Sequence, residues 1–442
     1  MTRPSPWRWT FAVLASFSLV AAACVGGGDG DTEREVTGDL SGQTIEAAAV
    51  WTGAEEERFG LILDAFEQET GATVNYTPTG DDIAAVLGPR IEAGDPPDVA
   101  VLPQPGLLLD YVDQGVLQPI EDVAGDEIDE NFPAGVREVG TVDDTLYAVW
   151  FKGANKSTVW YNVNVFNDAG VEPPEDWDQL QQVAQTISDS GVTPYSIGAG
   201  DGWTLTDWFE NIYLRIAGGD MYDQLANHEI AWTDQSVKDA LAAFADVVAN
   251  PDLIAGGTSG ALQTDFNTSV TQVFADPQDP DAAIVYEADF VAGVITGETE
   301  SEVGVDADFF LFPSIEGSEK PVVGGGDLAV LMSDSEGGRA LIEFLATPAA
   351  AEIWAQEGGF IATSDQVDPS IYPDEAGQLA AEAFIASGDD LRYDMSDLQP
   401  SAFGATTGEG MWGLLQEFVR NPDDIDGVTQ QLEDAANQAF GG

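Results

Sequence analysis

Few side chains in this sequence could act as catalytic nucleophiles or zinc ligands. The 442 residues include one histidine, His228, and one cysteine, Cys24. Nucleophilic catalysis commonly pairs a Ser or Cys with a histidine, and zinc sites need several His or Cys ligands. One residue of each type cannot build a zinc cluster. The sequence therefore gives little support to nucleophilic or metal catalysis, and His228 is predicted to be a surface or packing residue.

The groups that remain for chemistry are carboxylates, a few lysines and many aromatic rings. Acidic residues number 79, whereas the chain has only four lysines. Lys152 and Lys156 both lie in LYAVWFKGANKSTVWYN, residues 146–162, which is extended and rich in aromatics. Two of four lysines within one such segment predict specific ion pairs or ligand contacts at Lys152 or Lys156.

The net charge of −65 restricts the partners of the chain. Nucleic acids and anionic lipid surfaces would be repelled, so we expect neither as a partner. The acidic residues are dispersed rather than massed in one tail. A surface of this kind predicts a protein that stays soluble in high salt, where screening weakens self-repulsion. The alternative is acidity that evolved to bind cations.

The N-terminal half has the pattern of an α/β unit. An apolar strand (44–51), a helical pattern (55–70), a second strand (72–80), a second helical pattern (83–93) and a short strand between prolines (96–105) follow one another. This order predicts a parallel sheet. Such sheets bind ligands at the carboxyl ends of their strands. The ends here are 51–55, 79–82 and 103–106.

Further helices and strands are predicted along the rest of the chain. Helical patterns occur at 177–190, 205–217, 236–249, 337–356, 409–420 and 428–440, and strands at 282–295 and 322–332. Gly324–Gly326 in the last strand lack the lysine and spacing of a phosphate-binding loop. They predict a hinge or a close backbone approach.

The first residues predict export. Arg3 and Arg8 precede an apolar run, 11–23, that is too short to span a membrane. Residues 1–23 are therefore predicted to be a signal peptide. LVAAAC resembles the lipobox of bacterial lipoproteins, with Ala21 where leucine is commoner, so Cys24 is the expected lipidation site. Residues 24–39 predict a flexible tether, and the protein is expected at the outer face of the cell membrane.

The order of several motifs resembles the extracellular solute-binding proteins of ABC transporters, in the sugar-binding group that includes maltose- and α-glucoside-binding proteins. The motifs are residues 71–106, LYAVWFKGANKSTVWYN with PPEDWDQL, GWTLTDWFENIYLRIAGG, VYEADF, KPVVGGGDLAVLM, AAAEIWAQEGGFIAT and SAFGATTGEGMWGLLQEFV. Together they cover nearly all of the predicted mature chain. The resemblance implies a non-catalytic, monomeric receptor that delivers a sugar to a membrane permease and needs no cofactor.

The resemblance also implies a two-lobed α/β fold of the periplasmic-binding-protein type (class II). Each lobe is expected to have a central, mostly parallel sheet flanked by helices. Three crossings between the lobes are expected near 149–152, 322–325 and 360–363. One lobe would then contain 40–150 and 323–361, and the other 151–322 and 362–442. The sugar would bind between lobes that close by hinge bending.

By this resemblance, the sugar-binding residues are polar and aromatic side chains at predicted strand ends, on the crossing segment and in the later motifs. They are Trp51, Glu55, Thr79, Asp81, Asp82, Gln104, Lys152, Asn155, Lys156, Trp203, Asp207, Trp208, Glu210, Glu287, Asp289, Asp327 and Trp412. Carboxylates and lysines hydrogen bond sugar hydroxyls strongly, and aromatic rings pack on apolar sugar faces. No metal site is expected.

Several of these residues have a structural alternative. Trp51 could fill the core, Glu55 could favour a helix N-terminus, and Asp81 or Asp82 could cap a helix. Asp207, Trp208 and Glu210 could line a solvated helix face. An α-glucoside or related disaccharide is the expected ligand, and replacing Trp208 by Ala is expected to weaken binding without unfolding.

Two other functions remain as alternatives. A secreted glycoside hydrolase would also use carboxylates and aromatic rings, with a carboxylate pair about 5–5.5 or 6.5–9.5 Å apart. A calcium-dependent surface protein is suggested by the acidity and by NPDDIDG, residues 421–427, although this run lacks the EF-hand spacing.

Overall fold

The structure is a computed structural model that describes residues 38–80 and 82–441. The predicted signal peptide, Cys24, residues 24–37 of the predicted tether and Asp81 lie outside the described residues. Within the part of the chain that is described, every helix falls short of the length or apolarity that a membrane span requires.

Strands make up two main sheets and one small hairpin. The strands are β1 (Thr44–Ala49), β2 (Thr73–Pro78), β3 (Val99–Leu102), β4 (Thr141–Val142), β5 (Thr145–Leu146), β6 (Ala148–Asn155), β7 (Thr158–Asn162), β8 (Tyr195–Ser196), β9 (Ile284–Tyr286), β10 (Ala307–Leu311), β11 (Val323–Leu331), β12 (Ile361–Ala362) and β13 (Arg392–Tyr393).

Helices cover the faces of the two main sheets. They are α1 (Gly53–Thr70), α2 (Ile83–Ala93), α3 (Pro105–Asp113), α4 (Glu121–Asn131), α5 (Ala134–Val139), α6 (Val163–Ala169), α7 (Trp177–Ser190), α8 (Trp203–Ala217), α9 (Gly219–Ala226), α10 (Gln235–Val248), α11 (Gly257–Ala261), α12 (Phe266–Phe274), α13 (Val291–Glu298), α14 (Glu336–Leu345), α15 (Pro348–Ala355), α16 (Glu375–Ser387), α17 (Met395–Leu398), α18 (Ser401–Gly404), α19 (Gly410–Arg420) and α20 (Ile425–Phe440). Short 3₁₀ turns occur at Pro251–Leu253, Pro369–Ile371 and Gly388–Asp390.

The larger sheet has the strand order β12-β6-β11-β3-β1-β2, and β13 pairs with the start of β11. The β1-α1-β2-α2-β3 unit predicted from the sequence forms its parallel half. Phe59, Ile62 and Phe66 of α1 are buried against it at the predicted helical spacing, and Gly71 ends the helix in a left-handed conformation. Periodicity and a stop residue were therefore sufficient to predict this unit.

The prediction of mostly parallel sheets is wrong in detail. In the larger sheet β11 runs antiparallel to both β3 and β6. In the smaller sheet, ordered β10-β7-β9-β8, only the β8–β9 pair is parallel. The cause is the path of the chain: β6 leads out of the larger sheet and β11 leads back into it, so the two neighbours must run in opposite directions.

Three chain crossings join a lobe built on the larger sheet (lobe 1) to a lobe built on the smaller sheet (lobe 2). The chain leaves lobe 1 after Asn155, returns at Val323 and leaves again after Tyr393. Backbone hydrogen bonds tie the crossings side by side: Lys156 N donates to Val323 O (2.8 Å), and Asp394 N donates to Gly324 O (2.7 Å). This bundle of three crossings is the hinge segment of the fold.

The predicted lobe boundaries at 150/151 and 361/362 are wrong. Residues 151–155 remain in β6 of the larger sheet, and β12 pairs with Gly153 and Lys152 of that strand. The α16 helix also belongs to lobe 1, since its Phe384 ring lies 6.0 Å from the ring of Trp150. Lobe 1 therefore contains 38–155 and 323–393, and lobe 2 contains 156–322 and 394–441. Movement of the lobes about the hinge segment stays a prediction.

Close backbone packing explains the glycine run at the start of β11. Gly326 has φ +148, and a Cβ there would lie 1.9 Å from the carbonyl oxygen of Lys152. Any other residue would push β11 away from β6. The predicted close backbone approach is confirmed at this position.

Candidate functional site

A cavity of about 180 Å³ lies between the two lobes. From lobe 1 it is lined by Val50, Trp51, Thr52, Ala54, Glu55, Gly80, Pro103, Gln104, Lys152, Ala154, Gly326 and Asp327. From lobe 2 it is lined by Lys156, Trp203, Phe266, Asn267, Phe290, Val294, Glu298, Ser396, Asp397 and Trp412. Carboxylates, lysines and aromatic rings thus converge on one cavity between the lobes, which is the composition of a small-molecule site.

Predicted strand-end residues of the first and third strands of lobe 1 lie at the cavity. Trp51 and Glu55 follow β1, Gln104 follows β3, and all three reach the cavity. The second strand contributes only Gly80 among the described residues. Thr79 instead turns its hydroxyl to the carbonyls of Ala49 and Gly80.

Asp82 is not a cavity residue either, because it is the N-cap of α2. Its carboxylate accepts a hydrogen bond from Ala85 N at 3.1 Å. Capping satisfies a backbone N–H that the helix itself leaves unpaired. The capping alternative is therefore correct for Asp82, while Asp81 lies outside the described residues.

Lys152 is held in the cavity wall by one close carboxylate and three aromatic rings. Its Nζ lies 2.6 Å from Glu55 Oε1 and 3.9 Å from Asp327. The same atom lies over the rings of Trp51, Phe290 and Trp354 at 5.8, 5.4 and 5.1 Å from their centroids. Cation–π attraction of this kind strengthens as water is excluded. The ammonium therefore fills an aromatic cage that could otherwise accept a cationic ligand.

Asp327 lines the cavity beside Lys152, on the lobe 1 side. Burial raises the pKa of Asp327 to about 6, although Lys152 acts to lower it. The Trp51 side chain also acts to lower the pKa of this carboxyl group. Trp51 is thus both a core residue against Phe59 and Trp354 and a group at the cavity edge.

Lys156 lies at the first crossing and pairs with carboxylates from several elements. Its Nζ is 2.5 Å from Asp394, 3.3 Å from Asp207 and 3.5 Å from Asp397. Burial acts to lower the pKa of Lys156, but the three carboxylates outweigh it and hold the pKa well above its usual value. Burial acts to raise the pKa of Asp394, yet Lys156 and two further hydrogen bonds leave it well below the usual range.

Two predicted ligand residues, Asp207 and Glu287, lie behind Lys156 rather than in the cavity. Both are buried, and both oxygens of Glu287 and one of Asp207 have no hydrogen-bond donor among the described residues. Burial raises the pKa of Glu287 to about 8 and that of Asp207 well above its usual value. Burial disfavours the charged form of both carboxyl groups, while the neighbouring Asp207 and Lys156 act to lower the pKa of Glu287.

Three more predicted ligand residues support the hinge segment instead of lining the cavity. Glu210 accepts hydrogen bonds from Tyr222 OH and from the backbone N atoms of Met395 and Ser396, so it anchors the start of α17. Asp289 accepts from Asn155 N at 2.6 Å, and the Asn155 amide donates to Ala380 O. These roles make Glu210, Asp289 and Asn155 structural in this arrangement.

Trp208 belongs to the core of lobe 2, which contradicts its prediction as a sugar platform. It is 2% exposed and packs on Phe244, Tyr286 and Phe312, with ring centroids 5.9, 4.6 and 5.7 Å away. The α8 helix is buried over most of its length, so both faces carry apolar residues. Helical spacing alone could not separate its cavity face from its core face.

Lobe 2 contributes four aromatic rings to the cavity lining, those of Trp203, Phe266, Phe290 and Trp412. Trp203 lies 5.4 Å from the Phe266 ring and 6.0 Å from the Phe290 ring. The buried indole N–H of Trp412 has no acceptor among the described residues. It is therefore available to donate to a ligand oxygen.

Sequence reasoning missed several lining residues of lobe 2. They are Phe266, Asn267, Phe290, Val294, Glu298, Ser396 and Asp397. Phe290 directly follows the Glu287/Asp289 pair and could have been included with it. Phe266 and Asp397 carried no signal, because they reach the cavity only through the packing of α12 and α17.

Other titratable groups offer no additional centre in the described residues. No group of His, Cys, Asp and Glu among 38–80 and 82–441 has an arrangement that could hold a metal ion. His228 does not line the cavity and lies 3.3 Å from Glu433.

Comparison with known proteins gives a consistent result. A family profile described as bacterial extracellular solute-binding protein matches residues 51–352. The osmoprotective compounds-binding protein GgtB of Synechocystis is 31% identical over 411 residues, covering 92% of this chain and 94% of the relative. The α-glucosides-binding periplasmic protein AglE of Rhizobium meliloti is 33% identical over 404 residues, covering 88% and 86%.

The fold is also similar to solved structures. The bacterial solute receptor AcbH, described as having an exclusive preference for β-D-galactopyranose, superposes with a TM-score of 0.79 at 20% identity. The match covers 90% of this chain and 99% of AcbH. At this identity the likeness concerns the two-lobed fold.

Proposed function

This chain belongs to the bacterial extracellular solute-binding protein family, and we propose that it is the sugar-binding component of an ABC importer. Membership follows from a family match over residues 51–352 and from relatives aligned over most of the chain. Proteins of this family bind solutes and do not transform them, so the glycoside hydrolase alternative is set aside.

The cavity composition is the observation that carries the proposal for a sugar. Carboxylates Glu55, Asp327 and Asp397 can accept hydrogen bonds from hydroxyl groups. Trp203 and Trp412, from the other lobe, provide apolar ring area beside them. A polyhydroxylated ring with apolar faces would satisfy both kinds of group at once.

The charges favour a neutral ligand. Each cavity lysine already pairs with carboxylates, Lys152 with Glu55 and Lys156 with Asp394. An anionic sugar, such as a sugar phosphate or a uronate, would find no uncompensated cation among the described lining residues and would face several carboxylates. A quaternary ammonium ligand would be excluded from the aromatic cage that Lys152 already occupies.

The ligand we propose is a small α-glucoside that can serve as an osmoprotectant. One similar relative is named for osmoprotective compounds and another for α-glucosides. The cavity of about 180 Å³ is smaller than the roughly 300–1,000 Å³ common for drug-sized ligands, which favours a disaccharide over a long oligosaccharide.

Delivery to a permease, export and anchoring through lipid on Cys24 belong to the same proposal. Its support is the family match and the LVAAAC sequence before a Gly- and Asp-rich segment. Mass spectrometry of the membrane fraction would test the anchor, since lipidation adds a diacylglyceryl mass to Cys24 and a Cys24→Ser variant would be released.

The proposal is tested by calorimetric titration of the protein with trehalose, sucrose and maltose, alongside glucose 6-phosphate and glycine betaine. We expect binding of at least one neutral α-glucoside, recovered intact, and none of the charged compounds. A bound ligand also raises the unfolding free energy, by about 2.7 kcal/mol at a hundredfold excess over Kd. Binding of the phosphate or the betaine alone would contradict the charge argument.

Trp203→Ala, which removes a cavity ring, is the test variant. Trp177→Ala is its matched control. Trp177 lies on α7, outside the cavity lining, and stacks on Phe312. Loss of binding in the first variant with retention in the second would support the interlobe cavity as the site. Equal affinities in both variants would place the ligand elsewhere.

A further inference from the structure

Beside the cavity, α1 of lobe 1 packs directly on α13 of lobe 2. We propose that this contact is an interlobe latch, which sets the population of the closed state, and therefore ligand affinity, without contacting the ligand. The latch consists of Ala54 and Arg58 from α1, Gly359 from the loop after α15, and Gly293, Thr296 and Gly297 from α13. The part of this proposal that concerns ligand affinity rests on the proposed function.

The polar part of the latch is one buried guanidinium. Arg58 is 8% exposed, and it donates from Nη1 to Gly293 O at 3.1 Å and from Nη2 to Thr296 Oγ1 at 2.7 Å. Both acceptors belong to lobe 2. Separation of the lobes would break both hydrogen bonds together, and the planar guanidinium makes them geometrically specific.

The apolar part of the latch depends on two glycines one helical turn apart. A Cβ on Gly297 would lie 2.4 Å from the Cβ of Ala54. A Cβ on Gly293 would lie 2.8 Å from Arg58 Nη1, and the Gly359 backbone packs on the same residue. Their spacing of four places Gly293 and Gly297 on one face of α13. This face can therefore meet lobe 1 only while both residues lack a side chain.

The latch contacts join protein atoms of the two lobes directly and lie outside the cavity interior. Gly293, Thr296, Gly297 and Arg58 are absent from the cavity lining, although Ala54 touches both regions. The latch therefore acts with or without a bound ligand. A protein whose binding-competent closed state is more populated has a proportionally lower apparent Kd.

The test compares Gly297→Ala with the matched control Gly60→Ala. Gly297 has no positive φ, so alanine suits its helix, yet its methyl group would clash with Ala54 when α13 packs on α1 as it does in this structure. A Cβ on Gly60, in α1, would meet no atom within 4 Å, so that position should tolerate the same change. Circular dichroism and thermal unfolding confirm folding of both variants.

Small-angle scattering of the ligand-free protein is the first readout. We expect a larger radius of gyration for Gly297→Ala than for the wild type and Gly60→Ala. Equal radii for all three proteins would overturn the latch. Arg58→Lys, which keeps the charge but loses the two-pronged donation, should shift the radius in the same direction.

The second readout is titration with trehalose, sucrose and maltose. For any of these sugars that binds the wild type, Gly297→Ala should raise Kd about tenfold and Gly60→Ala should not. An unchanged Kd would overturn the latch. If no sugar binds the wild type but the radius of gyration still rises in Gly297→Ala, the latch stands and the proposed ligand class fails.

Discussion

At the scale of single residues, Lys152 shows how a buried charge is made tolerable. Its side chain is 4% exposed, while its partner Glu55 keeps 26% exposure. Removing water from an ammonium is costly unless a carboxylate and further interactions compensate. Here Glu55, Asp327 and three aromatic rings provide that compensation. The consequence is that Lys152 and Glu55 depend on one another for stability.

Lys152→Met should lower the free energy of unfolding by about 3 kcal/mol. This value is at the low end of the cost of breaking a buried ion pair, because the remaining partner, Glu55, is partly exposed to water. Urea unfolding at pH 7 measures the change. The double variant Lys152→Met/Glu55→Gln serves as the control and should recover part of the loss, since it removes the charge of Glu55 and leaves only Asp327, 3.9 Å from the lysine in the wild type, without its ammonium partner. A loss equal in the single and the double variant would contradict this coupling.

The carboxyl groups behind Lys156 make stability depend on pH. Burial raises the pKa of Glu287 to about 8, above its value of about 4.5 in the unfolded chain. The folded state therefore holds a proton that the unfolded state has already released. This contribution is fully present below about pH 4.5 and is lost as the pH rises through about 8. The limiting slope is about 1.4 kcal/mol per pH unit for one proton.

Glu287→Gln should consequently flatten the fall in unfolding free energy between pH 6 and pH 9, because an amide cannot ionise. Urea unfolding across this range measures the slope. Glu409→Gln is the control, since Glu409 is exposed and has no capping hydrogen bond at the start of α19. A slope that is the same in Glu287→Gln and wild type would show that the proton is not held at Glu287.

At the scale of elements, α8 carries two tryptophans with different roles. Trp203, its first residue, lines the cavity, whereas Trp208 lies in the lobe 2 core. Five residues of helix rotate a side chain by more than one full turn, so the two rings need not share a face. The helix thus connects the ligand site with the core of its lobe.

Trp208→Ala should cost about 3–5 kcal/mol of unfolding free energy, as large truncations in cores do, because it leaves a cavity among Phe244, Tyr286 and Phe312. This expectation replaces the sequence-based one, in which the variant folded normally. Thermal and urea unfolding check it, with Trp203→Ala as the matched control. A Trp208→Ala protein as stable as wild type would contradict core packing at this position.

The sequence was sufficient for elements whose signal is local. Apolar periodicity and a glycine stop predicted α1, and strand-end reasoning selected Trp51, Glu55 and Gln104, which line the cavity. Lys152 and Lys156 were recognised because lysine is rare in this chain. These inferences needed only spacing and composition.

The sequence was insufficient where long-range packing decides the role. Glu210 resembled a ligand residue but anchors the start of α17, some 185 residues away along the chain. The third crossing was predicted about thirty residues too early, because nothing local shows that α16 packs on β6. Asp397 and Phe266 reach the cavity only after both lobes have assembled.

At the scale of the whole molecule, the net charge of −65 opposes compaction. Self-repulsion among exposed carboxylates is screened as the Debye length falls from about 30 Å at 0.01 M salt to about 3 Å at 1 M. Few of these charges are neutralised locally, since the chain has only 14 basic residues. We therefore expect stability to increase with salt over a wide range.

The unfolding temperature should rise steadily between 0.01 and 1 M NaCl. Differential scanning calorimetry measures it, and tetramethylammonium chloride is the control salt. Coinciding curves for the two salts would indicate screening, whereas a rise with sodium alone would indicate specific cation binding. A temperature that stays constant or falls with both salts would contradict the prediction of salt adaptation.

The position of β11 in the larger sheet determines when lobe 1 can form during synthesis. This strand, Val323–Leu331, lies between β3 and β6, which are made much earlier. A nascent chain must complete all residues up to 322, including most of lobe 2, before the sheet gains its inner strand. Stop codons placed before residue 323 should therefore give no stable lobe 1, and a circular permutant beginning at Val323 should fold that lobe first.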